Sequence, residues 1–278
     1  MPSKKPSTPY KKIEHKNASF RLTFYGRQME MKRFLILFMG MITVLFSITA
    51  AFGERGNVSV RIQKPFEAYL PLTGKKIGID PGHQEKANSE REAIAPGSSE
   101  KKAKVASGTK GVSTGKYEYE TNLQVSLLLK QLLTDLGAEV LMTRETHDVD
   151  ISNQERAIMM NEWGADVVLR IHCNGSEDSS VEGMGMYVRY SGACKDESYL
   201  LGEMLLEYMA NETGARKQRV YKRDTYTGLN FSTVPCVLVE MGYMTHPEED
   251  RKLNDAEYQN KLVLGAAKGI IAYFEANQ

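Results

Sequence analysis

The chain has 278 residues, of which 41% are hydrophobic and 26% are charged. This size and composition fit one sizeable globular domain, or two small ones, with enough apolar side chains for a core. The formal net charge is +1, so no overall field favours nucleic acid or an anionic membrane surface. The basic run Lys101–Lys104 is too short and isolated to form a nucleic-acid-binding stripe.

The chain has three cysteines, Cys173, Cys194 and Cys236. Because the number is odd, at least one thiol is unpaired or bridges to another chain. Their spacing gives no CxxC motif, and we expect three small thiols that are buried or partly buried. A Cys173–Cys236 disulfide stays open as an alternative, since both residues lie in strand-like segments.

The N-terminal region has the pattern of an export signal. We assign no function to residues 1–30. Met31–Arg33 is positively charged, an apolar run from Phe34 to Phe52 follows it, and small residues close the segment. Residues 31–53 therefore have the order of a secretory signal peptide. The apolar run is also nearly long enough to span a bilayer, so an uncleaved membrane anchor is the alternative. Both hypotheses place the rest of the chain outside the cytoplasm, secreted or at the cell wall.

After a lead-in at residues 54–74, short apolar runs alternate with longer amphipathic stretches over residues 75–278, which we expect to form one domain. Strands are predicted at Lys76–Ile79, Glu139–Thr143, Val167–Ile171, Gly185–Tyr190 and Cys236–Val239, and helices at Tyr119–Leu136, Ser152–Trp163, Glu197–Thr213 and Asp255–Glu275. This alternation predicts an α/β fold with a mostly parallel twisted sheet sandwiched by helices. The polar residues 84–117 between them are predicted to form a surface loop that could rim a cleft.

Three predicted strands end in a side chain that can bind a metal or transfer a proton: His83, His172 and Glu240. Open parallel sheets bind ligands at the carboxyl ends of their strands. Each residue alone is a weak signal, because most histidines are ordinary core or surface residues and Glu240 could be paired at the rim. Their equivalent positions favour one common site.

A zinc site for hydrolysis needs three protein ligands and one open position. The two histidines supply two ligands, and a carboxylate is missing. Glu118 and Glu120, at the start of a predicted helix, are both candidates, although first-turn acids commonly just complement the helix dipole. Spacing alone does not separate them. The other histidines lie in contexts that suggest no ligand role: His15, His147 and His246.

Five motifs carry a resemblance to a known family. They are IGIDPGH (77–83), EYETNL (118–123), MTRETHD (142–148), NQERAIMMNEWGADVVLRIHCN (153–174) and PCVLVEMGYMTHPEED (235–250). In this order they resemble the zinc-dependent N-acetylmuramoyl-L-alanine amidases, the cell-wall autolysin family. The resemblance runs from about residue 75 to the C-terminus, and the ordered set is specific where any single motif would not be.

The resemblance implies a Zn²⁺ cofactor held by His83, Glu118 and His172, with Glu240 as the catalytic glutamate. Glu118 is favoured because the family's glutamate precedes an asparagine by four residues, as Glu118 precedes Asn122. The implied reaction is hydrolysis of the amide bond between N-acetylmuramic acid and L-alanine in peptidoglycan. Residues 75–278 would then be the catalytic domain, which we expect to be monomeric and to contact a membrane only through residues 31–53.

The chain departs from the family pattern at three positions next to the expected ligands. Gln84 stands where the family usually has a second glycine, Arg170 where it has serine, and Cys173 where it has alanine. None removes a ligand, but together with the long 84–117 insertion they leave the substrate groove and the peptide preference open.

Two other functions stay open. A carboxypeptidase-like zinc peptidase would need a basic clamp for a terminal carboxylate, and Arg144, Arg170 or Arg223 could supply it. A non-catalytic wall-binding module would hold a structural metal or none. Glu240 beside a complete ligand set argues against that module, because a structural site closes its fourth position and needs no base.

Overall fold

The computed structural model describes residues 70–277, which form a central sheet covered by helices and a separate hairpin. The elements in chain order are β1 (Lys76–Pro81), β2 (Asn88–Ala93), β3 (Lys101–Val105), α1 (Glu118–Asp135), β4 (Glu139–Met142), α2 (Asn153–Trp163), β5 (Val167–Asn174), β6 (Met184–Val188), α3 (Lys195–Thr213), β7 (Lys217–Lys222), α4 (Thr227–Asn230), β8 (Cys236–Tyr243), α5 (Pro247–Leu253) and α6 (Ala256–Ala276). The sheet has six strands in the order β4-β1-β5-β8-β6-β7.

The strands β4, β1, β5 and β8 are all parallel neighbours, whereas β6 runs antiparallel to β8 and pairs parallel with β7. The predicted α/β fold with a mostly parallel sheet is therefore confirmed. Every residue of β8 is buried, as expected for a central strand covered on both faces. The largest apolar cluster joins one face of the sheet to α1, α3 and α6, and a smaller cluster lies on the opposite face against α2 and α4.

Local hydrogen bonds and glycines set the ends of the predicted helices α2 and α3. The Ser152 hydroxyl accepts a hydrogen bond from the Glu155 N–H at 3.2 Å, and the Glu155 carboxylate accepts one from the Ser152 N–H at 2.8 Å. This reciprocal pair satisfies two amide donors at the start of α2. Gly164 and Gly214 end α2 and α3 in the left-handed region, with φ of 73° and 71°, which glycine adopts without steric cost.

The structure corrects the expectation that residues 84–117 are a loop, because β2 and β3 pair there as an antiparallel hairpin. The edge strand β7 and the short helices α4 and α5 were also not predicted. The alternative of a Cys173–Cys236 disulfide is wrong, because all three cysteines are free. Cys236 pairs with Val168 in the β5–β8 register, so Cys173 lies five residues further along, roughly 16 Å away, which is too far for a disulfide.

The signal peptide or anchor predicted at residues 31–53 lies outside the described residues, as do residues 1–30 and most of the lead-in. Within residues 70–277, no helix is long and apolar enough to cross a membrane.

Helices α3 and α6 approach closely because α6 presents glycine at the contact. A Cβ on Gly265 would lie 2.5 Å from the Met209 Cα, and one on Gly269 would lie 3.0 Å from the Leu205 Cα. Both neighbours are backbone atoms, which cannot rotate away as a flexible side chain would. Because Gly265 and Gly269 carry a hydrogen atom where other residues carry a Cβ, the two helices can pack this closely. Part of the main core depends on that spacing.

We expect Gly265→Ala to lower the free energy of unfolding by about 1–2 kcal/mol, because overpacking costs about 1–3 kcal/mol and the better helix propensity of alanine recovers up to about 1 kcal/mol. Urea unfolding measures this change. Leu264→Ala is the control, since Leu264 lies next to it and is 40% exposed. A Gly265→Ala protein as stable as the wild type would contradict the close approach.

Candidate metal centre

The sheet topology brings His83, His172 and Glu240 to one edge. Neighbouring parallel strands end at the same edge of a sheet, so the loop after β1 and the end of β5 meet there. His172 on β5 lies opposite Glu240 on β8 in the strand register. Glu118, the first residue of α1, approaches the same edge from the helix start. The structure thus places all four residues that sequence reasoning selected around one location.

Two imidazoles share one carboxylate oxygen. Glu118 Oε1 lies 3.2 Å from His83 Nε2 and 3.1 Å from His172 Nδ1. The candidate ligand atoms of the three residues all lie within 4.8 Å of one another. The two imidazole rings meet edge to face, with centroids 4.9 Å apart. Among the described residues this is the one cluster of histidine, cysteine and acidic side chains that could hold a metal ion.

The Glu118 carboxylate is fixed by neighbouring hydrogen-bond donors. Its Oε1 accepts hydrogen bonds from the Cys173 N–H at 3.1 Å and the Asn122 side-chain amide at 3.2 Å. Its Oε2 accepts one from the Thr109 N–H at 2.9 Å. Glu120 instead accepts a hydrogen bond from the Tyr117 N–H at 2.8 Å, at the start of α1. The structure therefore directs Glu118 to the cluster and Glu120 to the helix terminus.

The His83 loop has an unusual backbone. His83 has φ of 60°, a left-handed conformation that strains a residue other than glycine. Its Nδ1 lies 2.8 Å from the Ala106 carbonyl oxygen, so Nδ1 carries the proton and Nε2 is left to face the cluster. A Cβ on Gly82 would lie 2.2 Å from the His172 ring. Glycine at this position therefore lets the loop pass directly beside the second histidine.

Two buried arginines hold the carbonyl groups of this loop. Arg144 donates to the Pro81 and Gly82 carbonyl oxygens, each at 3.0 Å. Arg156 donates to the Pro81 carbonyl at 2.9 Å and the His83 carbonyl at 3.1 Å. Hydrogen bonds from charged donors are stronger than neutral ones, and these stabilise the strained turn. Arg144 is thereby committed to the scaffold, and the carboxylate clamp considered for it is not supported.

Asp80 lies beneath the same loop and is 1% exposed. Its carboxylate lies 2.9 Å from Arg156 Nη1 and 3.0 Å from Arg170 Nη2, and it accepts a hydrogen bond from the Thr143 hydroxyl at 2.5 Å. Burial alone would raise the pKa of Asp80, but the two guanidinium charges and the hydrogen bonds outweigh burial and hold that pKa well below its usual range. Asp80 is therefore ionised in the folded protein.

Burial and the contacts among the cluster residues shift their pKa values. Burial opposes ionisation of Glu118, yet the two histidines outweigh it and lower the pKa of Glu118 below its usual range. Burial lowers the pKa of His172, which keeps this ring neutral and able to donate a lone pair. The pKa of His83 is raised because the contact with Glu118 outweighs burial. Burial, followed by the charge of Glu118, raises the pKa of Glu240 well above its usual range.

The cluster opens into a cavity of about 280 Å³, which Glu240 also lines. Sequence reasoning gave no role in the cavity to Lys102, Asn153, Thr227 and Gly228, and of these only Asn153 lies in one of the five motifs. Tyr226 is the one described tyrosine that lines this cavity. A larger cavity of about 500 Å³ lies on the exposed side of β7. The larger cavity contains no residue of the cluster. We therefore take the smaller cavity, which contains the cluster, as the candidate site.

An α/β domain with two histidines and a glutamate at the open edge of its sheet, beside a buried second glutamate, has the arrangement of a metal-dependent hydrolase. The family model described as N-acetylmuramoyl-L-alanine amidase matches residues 77–272. The chain belongs to this family.

Similar proteins agree with this assignment. LytC of Bacillus subtilis, an N-acetylmuramoyl-L-alanine amidase, is 27% identical over 206 residues, which cover 73% of this chain and 36% of LytC. The probable cell wall amidase LytH of Staphylococcus aureus is 30% identical over 206 residues, covering 74% and 60%. This chain thus spans between about a third and three fifths of the length of these relatives. The structure of the amidase Ami1 from Mycobacterium smegmatis has the same fold, with a TM-score of 0.68 at 22% identity over 74% of this chain and 99% of that one.

We expect Asp80→Asn to lower the free energy of unfolding by about 3–5 kcal/mol at neutral pH, because it leaves buried guanidinium charge uncompensated. The folded-state pKa of Asp80 is depressed, so its stabilisation is present above the unfolded pKa of about 3.9 and is lost as the pH falls below that value. The wild type and the variant should therefore differ less in their free energy of unfolding below about pH 4.

Denaturant unfolding at a series of pH values tests this expectation. Glu90→Gln is the control, because it removes an exposed carboxylate paired with Lys104, and exposed pairs contribute little. A pH-independent difference between Asp80→Asn and the wild type would contradict the buried ion pair.

Proposed function

We propose that this chain is a zinc-dependent hydrolase that cleaves the amide bond between N-acetylmuramic acid and L-alanine in peptidoglycan. The observation that carries the proposal is the Glu118 carboxylate shared by two histidines at the open end of a cavity. Family membership supports the choice of bond, and the names of LytC and LytH support the cell wall as the site of action.

The three residues fit a zinc ion. Two ligand atoms that each lie 2.0–2.1 Å from a tetrahedral zinc are separated by about 3.3 Å. Glu118 Oε1 lies 3.2 and 3.1 Å from the nearest nitrogens of His83 and His172. Two imidazoles and one carboxylate are also a ligand set that catalytic zinc sites use. We propose His83, Glu118 and His172 as the zinc ligands.

Zinc in such a site supplies Lewis acidity, which activates water near neutral pH and polarises an amide carbonyl. The ligands themselves are held in place by their neighbours: His83 by the Ala106 carbonyl, and Glu118 by the Asn122 amide and two backbone N–H groups. Such supporting hydrogen bonds orient ligands and maintain their basicity.

We propose Glu240 as the general base and then the general acid. Its carboxyl group lines the cavity beside His172 and its Oε2 is buried without a hydrogen-bond partner. Burial and the charge of Glu118 raise its pKa, so Glu240 holds a proton more tightly than an exposed glutamate, as the general-acid step requires. Glu240 takes the proton of the attacking water and delivers it to the nitrogen of the leaving L-alanine, so the lactyl carboxylate and a free amine are the products.

We also propose that residues 75–278 act as the catalytic domain outside the cytoplasm, where peptidoglycan lies, with residues 31–53 directing export or anchoring the chain. A monomer suffices for this chemistry, because all four proposed site residues come from one chain.

We expect Glu240→Gln to bind zinc as the wild type does and to lower kcat/KM by at least about a hundredfold, because general acid–base catalysis contributes roughly 10²–10⁴ in rate. Elemental analysis gives the zinc content, and digestion of purified peptidoglycan with labelling of new L-alanine amino termini gives the activity. Glu248→Gln is the control, since Glu248 is exposed and lies outside this cavity.

Full activity in the Glu240→Gln protein would exclude the proposed role of Glu240. Release of free amino acids from wall peptides, with no new L-alanine amino termini, would instead favour the peptidase. Retention of activity after complete chelation of the metal would exclude zinc dependence.

A further inference from the structure

Beyond the metal ligands and Glu240, the cavity has a wall in which the charged side chains are both cationic. We call this the cationic wall. It consists of Lys102, Asn153, Arg170, Tyr226, Thr227 and Gly228. The hairpin, α2, β5 and α4 contribute to it, so it is assembled from the insertion and from the sheet together. None of these residues has a role in the chemistry proposed above.

Arg170 lies on β5 two residues before His172, and alternate residues of a strand point to the same face of the sheet. Their Cα atoms are therefore about 6.6 Å apart. Arg170 Nη2 donates to the Asn153 side-chain oxygen at 2.7 Å and lies 3.0 Å from Asp80 Oδ2. A Cβ on Gly228 would lie 1.5 Å from Arg170 Nη1, so glycine is needed where the guanidinium passes. The guanidinium is consequently held in one position at the cavity.

A single carboxylate, that of Asp80, lies among three arginines behind this wall. Asp80 is the carboxylate paired with both Arg156 and Arg170, and the buried Arg144 also interacts with it electrostatically. Asp80 Oδ2 accepts no hydrogen bond, although Arg170 Nη2 is only 3.0 Å away. One carboxylate thus faces three guanidinium groups, and Arg170 is the member of this set that lines the cavity.

Lys102 brings a second cation to the same cavity. Its Nζ donates to the Thr225 carbonyl at 3.0 Å and lies 5.7 Å from the centre of the Tyr226 ring. Burial lowers the pKa of Lys102, and the next largest cause is the positive charge of Arg170, ahead of the opposing effect of Glu92. The two cations are therefore close enough to repel each other, and an anion between them would relieve this repulsion.

The wall also contains a polar group without a partner. The Thr227 hydroxyl is buried, has no hydrogen-bond partner and belongs to a residue that is 1% exposed. A buried hydroxyl normally makes a hydrogen bond, and one that does not is costly. A bound carboxylate could accept a hydrogen bond from it, as well as from Arg170 and Lys102.

We propose that Arg170 and Lys102 form a subsite for a free carboxylate of the stem peptide, on the second residue from the scissile amide. An extended peptide spans about 3.3–3.6 Å per residue, so a carboxylate two residues from an amide held at the ligand cluster reaches Arg170. A carboxyl group at this position is charged when it is free and neutral when it is amidated. The subsite selects the free form. This inference rests on the proposed function, because it takes the amide position from it.

The test compares two muropeptides that are identical except for a free α-carboxylate or a carboxamide on that second residue. We expect the zinc-loaded wild-type enzyme to prefer the carboxylate by about tenfold to a hundredfold in kcat/KM, mostly through KM, because hydrogen bonds to charged groups are the stronger ones. Lys102→Met and Arg170→Gln should each reduce the preference to about threefold or less, with unchanged zinc content.

Lys101→Met is the matched control, because Lys101 is the neighbouring exposed lysine of the same strand and lies outside the cavity. It should keep the full preference. Arg170→Gln can also lower the stability of the fold, because Arg170 pairs with the buried Asp80. Lys102→Met tests the subsite without disturbing that pair.

If the wild-type enzyme cleaved the two muropeptides with equal kcat/KM, the subsite would be overturned and the amidase proposal would stand. A preference retained in both Lys102→Met and Arg170→Gln would overturn the assignment to these residues. Hydrolysis of neither muropeptide, with intact peptidoglycan also uncleaved, would instead overturn the proposed function, and the subsite would fall with it.

Discussion

The site depends on one carboxylate that two distant histidines share. Glu118 can reach both His83 and His172 only because β1 and β5 are adjacent parallel strands that end at one edge, and because α1 starts there. Its two oxygens are held by backbone N–H groups and the Asn122 amide. The rings therefore meet a carboxylate whose position is already determined by the fold, and a cation binding there requires little rearrangement.

The carboxyl groups of Glu118 and Glu240 line the same cavity, where each disfavours the charged form of the other. Glu118 is ionised, and its charge helps to raise the pKa of Glu240 in the same cavity. A divalent ion among the ligands would reverse that influence and favour the ionised form of Glu240 that a general base needs. Beneath the loop, Asp80 and the arginines hold the His83 backbone in its left-handed conformation. The two groups of charges therefore lie apart: the arginines and Asp80 hold the loop, and Glu118 and Glu240 line the cavity.

Sequence alone predicted the elements whose pattern is local. The continuous apolar runs of β1, β5 and β8 identified central parallel strands, and the residues that follow or end them lie together at one edge of the sheet. The strand β7, Lys217–Lys222, has the polar composition of an edge strand, so its hydrophobic pattern is weak. The choice of Glu118 over Glu120 came from the family resemblance, because both are first-turn acids. Lys102 could not be predicted to line the cavity, because its place depends on how the hairpin folds back over the sheet.

The central claim is that His83, Glu118 and His172 hold one zinc ion. Anomalous diffraction from crystals of the purified protein, measured on both sides of the zinc absorption edge, tests it most directly. The account predicts a single strong zinc peak about 2.0–2.2 Å from one atom of each of these three residues. A zinc peak bound by other residues, or no metal at this position in an active protein, would contradict it.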